Sequence, residues 1–237
     1  MAIKRKTTTQ TQVFQREGPQ AVNYDLSRPN CVTITVPVGS TWTSGRHWHE
    51  THTEYLQVLQ GRAFVWLGPR YQEYDSQDRA IEVPRFTVHE WRRVWVEGKE
   101  NHQEDQNLIV REWTVPEDGK KEVFFRMLNS FLTEDHPGSL YEAPGMVPRV
   151  PLRIASAWIE RWIVMLQLFA IFRSCDNWPV LVGDDSDLFS RSVTHLVLAI
   201  ATGIGYMLGL HGTYREYVNE DLIVRGQEGK TEKTKSR

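Results

Sequence analysis

Arg46–Gly61 reads RHWHETHTEYLQVLQG, with three histidines and two glutamates in its first nine residues and then an apolar strand. His47 and His49 are two apart, so on an extended strand they point to the same face. Glu54, on the strand that follows, can offer a carboxylate to the same point. A third imidazole is available at His89, in VPRFTVHEW. Three histidines and one carboxylate that leave positions open suit a divalent Fe, Mn, Ni, Cu or Zn ion.

Working outward, CVTITVPV (Cys31–Val38) alternates β-branched with polar residues and stops at Pro37 and Gly39. Further strands are expected at Arg46–His49, Tyr55–Leu59, Arg62–Leu67, Ala80–Val83, His89–Val96 and Asn107–Thr114, separated by Gly61, by Gly68-Pro69, by YDSQDR and by EGKENHQEDQ. No segment of helical period interrupts them, which argues for an antiparallel barrel or sandwich rather than a parallel α/β fold. After Glu117-Asp118-Gly119 the period changes. Val123, Phe124, Met127, Leu128 and Phe131 then mark an amphipathic helix lying against the barrel.

Composition bounds the rest. The chain has 237 residues, 40% of them apolar, enough for a good core. With 28 Lys+Arg against 30 Asp+Glu, the net charge of -2 gives no general attraction to nucleic acid. Cys31 and Cys175 lie far apart with no CxxC spacing, so neither a disulfide framework nor a thiolate zinc site is expected. The basic start MAIKRK continues as TTTQTQ where a secretory signal needs an apolar stretch, so export is not expected.

Four regions emerge: an N-terminal arm over 1–28, the barrel with its trailing helix over 29–134, a Pro/Gly-rich linker over 135–151, and a helical hairpin with a basic tail over 152–237. The hairpin consists of apolar segments 154–172 and 193–210. The second sits at the lower length limit for crossing a ~30 Å hydrocarbon core. Glu160-Arg161 interrupts the first. The outer ends carry Arg149, Arg153, Arg215, Arg225 and the basic tail, whereas the connecting loop carries Asp176, Asp184, Asp185 and Asp187. That bias matches membrane association with the barrel on the cytoplasmic side. The alternative is a soluble cytoplasmic protein whose two helices cap the barrel or form a homodimer interface, and Gly205 and Gly209 would let two helices approach closely.

By spacing, the central stretch is H-x-H-x4-E-x6-G at His47, His49, Glu54 and Gly61, and the downstream element is P-x4-H at Pro84 and His89. This pair of motifs resembles the signature of the cupin superfamily, over roughly Cys31 to Thr114. The resemblance implies a mainly β fold, a small jelly-roll (cupin) barrel with a C-terminal helical hairpin, and one metal ion held by His47, His49, Glu54 and His89. The sequence departs from the family pattern at Phe86, where glycine is usual, and at Arg93, where asparagine is usual. Small, tailed cupins of this kind resemble oxidoreductases of fungal-type secondary metabolism, with iron the leading choice of metal.

If His89 faces the metal, strand alternation puts Trp91, Arg93 and Trp95 on its face. Arg93 would then hold an oxyanion of a small, flat substrate between two indoles, with Glu54 and Arg93 carrying the catalysis. The competing reading pairs Arg93 with Glu82 or Glu112. His52 is out of step with the ligands and reads as a supporting or rim residue, Glu50 as a neighbour of the site, and His102, His136, His195 and His211 as ordinary. The site suits an oxygenase or oxidase on a small aromatic or polyketide-like metabolite. A redox-neutral isomerase, cyclase or decarboxylase, or a cupin that binds a ligand or metal without turnover, would use the same four residues.

Overall fold

The structure is a computed structural model, and it describes residues 4–94, 106–141, 157–183 and 188–223. Ten strands come first: β1 (Val13–Arg16), β2 (Val22–Asp25), β3 (Cys31–Val36), β4 (His47–Trp48), β5 (Thr53–Gln60), β6 (Ala63–Leu67), β7 (Arg70–Tyr74), β8 (Ile81–Val83), β9 (His89–Arg93) and β10 (Leu108–Val115). Helices α1 (Lys120–Leu132) and α2 (Ala157–Ser174), a two-residue strand β11 (Trp178–Pro179) and helix α3 (Leu188–Met207) follow.

The strands form two antiparallel sheets, ordered β1-β2-β3-β10-β5-β8 and β11-β4-β9-β6-β7. No pairing joins the two among the described residues, so the expected barrel is a two-sheet sandwich. Burial alternates along β3, β5 and β10 with a period of two. Their inward set, Val32, Ile34, Val36, Leu56, Val58, Leu108 and Val110, meets Ala63, Val65 and Trp91 of the second sheet. Each such aliphatic side chain contributes about 1.5–3 kcal/mol by leaving water. Gly61 closes the β5–β6 turn at φ +74, and a Cβ there would lie 2.9 Å from the Asn107 carbonyl oxygen. The last position of the first motif therefore has to be glycine for two reasons, the left-handed turn and the approach of β10.

Three boundaries differ from the sequence reading. The arm expected over 1–28 supplies β1 and β2, and its start is clamped to the helices. The Lys6 amide donates to Glu134 Oε1 (2.8 Å), the Thr8 amide to the Glu216 carbonyl (2.8 Å), and Arg126 to the Thr11 carbonyl (2.7 Å). The segment after Gly68-Pro69, read as a connection, forms β7, because RYQEY pairs along β6 while facing solvent and so lacks an apolar signal. The hairpin helices are displaced from their apolar runs, α2 ending at Ser174, two residues past its run, and α3 starting at Leu188, five residues before its run, and a strand lies within the connection. Residues 142–151 of the expected linker, Trp95, the Asp184–Asp187 cluster and the basic tail lie outside the described residues.

Helix α1 joins the two halves. Phe125 enters the core of the sheets, while Val123, Met127 and Phe131 pack with Ile171, Tyr214, Tyr217 and Val218. Helices α2 and α3 lie against one another through Ile163, Leu166 and Ala201. The outer face of α3 leaves Leu196, Ile200 and Met207 exposed. Among the described helices, α3 alone is long and apolar enough to cross a membrane. Its inner face is held to the sheets: Thr194 Oγ1 donates to the Pro179 carbonyl (3.2 Å) and Arg191 to the Phe86 carbonyl (2.6 Å).

Candidate metal centre

The expected ligands converge. His47 lies opposite His89 across β4 and β9, His49 follows β4, and Glu54 enters from β5 of the other sheet. All four are buried, and one ligand atom from each lies within 4.8 Å of the others. His89 Nε2 is 2.6 Å and His49 Nε2 3.5 Å from Glu54 Oε2.

The far side of each imidazole explains why these atoms face inward. His47 Nδ1 lies 2.8 Å from the Gly45 carbonyl, His49 Nδ1 2.6 Å from the Asp176 carbonyl and His89 Nδ1 3.2 Å from the Thr87 carbonyl. A carbonyl can only accept, so the Nδ1 of His47 and His49 carries the proton and their Nε2 presents a lone pair, while His89 lies between two acceptors, the Thr87 carbonyl and Glu54 Oε2. Burial holds His47 and His49 well below the ordinary imidazole range and lowers His89 to about 4, so all three are neutral at pH 7. Two lone pairs then face the His89–Glu54 pair, and the buried His49 Nε2 has no hydrogen-bond partner among the described residues. Acceptors gathered around one point fit a cation, and nitrogen and oxygen donors in this ratio fit a divalent transition metal.

Side chains absent from the sequence reading complete the surroundings. Lys121, in the first turn of α1, sends its Nζ to Glu54 Oε1 and to Glu112 Oε2 (3.0 Å). Trp91 Nε1 donates to Glu112 Oε1 at 2.6 Å. Burial pushes Lys121 down to about 7 and Glu112 up to about 7, disfavouring the charged form of each. The signal for Lys121 was its place four residues before Phe125 on the buried stripe of an amphipathic helix. A lysine there faces the core, and in a first turn it opposes the helix dipole.

Asp176 and Asp118 flank His52. The His52 Nδ1 meets Asp176 Oδ2 at 2.8 Å and its Nε2 meets Asp118 Oδ2 at 3.1 Å. Burial lowers the His52 pKa, but the two carboxylates outweigh it and raise the net value. Burial likewise raises Asp176, and hydrogen bonds from His52, Thr51 and the Glu50 and Thr51 amides bring it well below the carboxylate range. His52 is therefore a clamp beside the ligands, the supporting place expected for it. Glu50 turns to the other side, accepting from Trp48 Nε1 (3.1 Å) and from His195 Nε2 (2.8 Å), so His195 has a partner that its spacing did not suggest.

Arg93 is not brought to the cluster. It lies four residues along β9 from His89, opposite Ala63, and donates to the Gln106 carbonyl at 2.6 Å. Glu112, one of the partners considered for it, belongs to Lys121 and Trp91. Trp91 shares the His89 face as expected, yet it is a core residue, 4.8 Å from the Trp42 ring. A cavity of about 10 Å³ beside His49, His52, Lys121 and Phe124 has room for about one water. Phe86, at the slot where glycine is usual, adopts φ +63, the left-handed backbone that glycine would supply.

No protein-family model and no curated protein matches the chain. Solved structures do. CapF of Staphylococcus aureus, a capsular polysaccharide assembling protein, is 15% identical at a TM-score of 0.31, over 43% of this chain and 28% of that one. KdgF from a Halomonas species is 18% identical at 0.32, over 43% and 85%. The Lactobacillus farciminis oxalate decarboxylase is 16% identical at 0.33, over 44% and 31%. The alignment thus spans under a third of the CapF and oxalate decarboxylase chains, and what those proteins act on does not transfer. The described residues form two antiparallel sheets with C-terminal helices around a buried His/His/Glu/His cluster, a mainly-β fold whose donor set fits the metal-binding cupin that the paired motifs resemble.

Proposed function

We propose that the chain is a mononuclear-metal enzyme of the cupin type acting on a small organic molecule. His47, His49, Glu54 and His89 would hold one divalent transition metal. The observation that carries this reading is the set of three Nδ1 to carbonyl hydrogen bonds, which aim three neutral imidazoles at one carboxylate. When bound, such an ion supplies Lewis-acid or redox chemistry to a substrate oxygen.

The chain's own residues supply proton movement. Lys121 Nζ touches Glu54 and Glu112, and Trp91 fixes Glu112 from the other side. A buried amine and carboxylate in contact, each shifted by burial towards its neutral form, suit general acid–base work. This favours the redox-neutral isomerase, cyclase or decarboxylase class over the oxygenase or oxidase. Arg93 has no part in the proposed machinery.

The test is turnover of a panel of small oxo- and hydroxy-compounds by metal-loaded protein, in air and under argon. Turnover under argon that is lost in Lys121→Met supports the redox-neutral reading. Turnover that needs oxygen, with stoichiometric oxygen consumption, supports the oxidoreductase instead. No turnover by protein carrying one metal per chain leaves a metal-binding protein without catalysis.

A further inference from the structure

The residue that holds His49 comes from the opposite end of the sequence. Helix α2 ends in a Schellman turn, in which the Asn177 amide donates to the Phe172 carbonyl at 3.0 Å and Asp176 takes the left-handed slot at φ +59. Glycine is the usual occupant of that slot, and aspartate tolerates it. Here the aspartate is used at both ends. Its carbonyl accepts from His49 Nδ1 at 2.6 Å. Its carboxylate accepts from the Glu50 amide (3.0 Å), the Thr51 amide (2.8 Å), Thr51 Oγ1 (2.7 Å) and Trp178 Nε1 (3.0 Å), besides meeting His52. Two residues on, β11 pairs with β4, setting Trp178 opposite Trp48 and Pro179 opposite His47.

The loop that carries the first ligand motif is therefore closed by the end of α2. We infer that Asp176 is a positioning residue for the metal site, and that metal binding and docking of the C-terminal helical segment are one linked equilibrium. The inference rests on the metal-centre reading. Its physical content is that the His49 ring is aimed by a carbonyl whose own place depends on five hydrogen bonds to the Asp176 carboxylate. With the segment undocked, His49 loses its Nδ1 acceptor and the loop its anchor. Linkage is reciprocal, so whatever factor docking adds to metal affinity, metal adds to docking.

The test uses the full chain with Zn(II) and Co(II). Asp176→Gly keeps the left-handed turn and removes the carboxylate, and Asp176→Asn keeps its shape without the charge. Both should bind either metal about 10- to 100-fold more weakly than the wild type, the range found when groups supporting a ligating histidine are removed. Their Co(II) absorption spectra should shift, which a general loss of stability would not cause. In the wild type, Zn(II) at 100 times its Kd should slow amide exchange across 175–180 by up to about 100-fold. Wild-type affinity and an unchanged Co(II) spectrum in the folded variants would overturn the inference while leaving the metal centre intact. Exchange at 175–180 indifferent to Zn(II) would overturn it even if neither variant folds. Wild type that takes up no stoichiometric metal would remove the metal centre and this inference with it.

Discussion

His49 and His52 are three residues apart, both buried, and made into different tools by what they touch. His49, like His47 and His89, rests its Nδ1 on a carbonyl and stays neutral, and its buried Nε2 has no hydrogen-bond partner among the described residues. His52 lies between two carboxylates, which favour its cation. A carbonyl partner makes an imidazole into a ligand, and a pair of carboxylates makes it into a clamp. Chemical type and spacing alone do not divide the two groups.

The largest effect that can break this division is loss of a ligand. His47→Ala or His89→Ala should abolish stoichiometric metal while the sheets still fold, since the apolar core of β3, β5 and β10 is untouched; His52→Gln should retain one metal per chain. Metal analysis with circular dichroism checks both. Equal metal loss in all three would erase the distinction between ligand and clamp.

Next comes Lys121→Met. In metal-free protein it leaves Glu54 and Glu112 buried beside one another without a cation, a loss of about 3 kcal/mol or more. With metal bound, Glu54 regains a cation and Glu112 is neutralised by a proton, so the loss should shrink. Urea unfolding with and without Zn(II) reads the difference, and equal losses would show that Lys121 and the metal do not share Glu54.

The two kinds of histidine also differ in sign with pH. The three ligands have folded pKa values below the unfolded 6.5, so the unfolded chain takes up protons first and metal-free protein loses stability as pH falls from about 6.5 towards 4. His52 is raised, so its contribution is present below 6.5 and fades as pH rises through its folded value. Urea midpoints across pH 5 to 9 should fall on the acid side in both wild type and His52→Gln. Lys121, with its folded pKa lowered, gains stability above pH 7 in both proteins, so the fade is read as the difference between wild type and variant, and a difference that does not shrink as pH rises would place that titration elsewhere.

The smallest effect concerns Phe86. A bulky residue in the left-handed region costs roughly 1–2 kcal/mol, and the Phe86 ring is half exposed. Phe86→Gly should therefore raise stability by up to about 1 kcal/mol and leave metal content unchanged. A lower melting temperature would mean that the Arg191 contact with this ring outweighs the strain.

The four residues of the buried cluster were legible because the period of a strand fixes His47 with His49, and because Glu54 and His89 sit where the paired motifs require them. The strands with one apolar face were legible for the same reason. β7 was not, since it is exposed over four of its five residues, nor were β1 and β2, four-residue strands in a polar stretch that pair with one another and with β3. Lys121 left a trace, a cation on a buried helical stripe. Asp176 left none: it becomes part of the site only when α2 ends in a left-handed turn beside the Glu50 amide. Arg93 misled because alternation gives the face of a strand and says nothing of the distance along it.

One measurement bears most directly on the centre itself: X-ray absorption on the zinc-loaded wild type, compared with His49→Ala. The wild type should show one zinc per chain with three imidazoles and a carboxylate oxygen, and the variant, loaded with excess zinc to offset its weakened site, one imidazole fewer. A wild-type spectrum lacking imidazole scattering, or one unchanged by His49→Ala, would contradict the proposed centre.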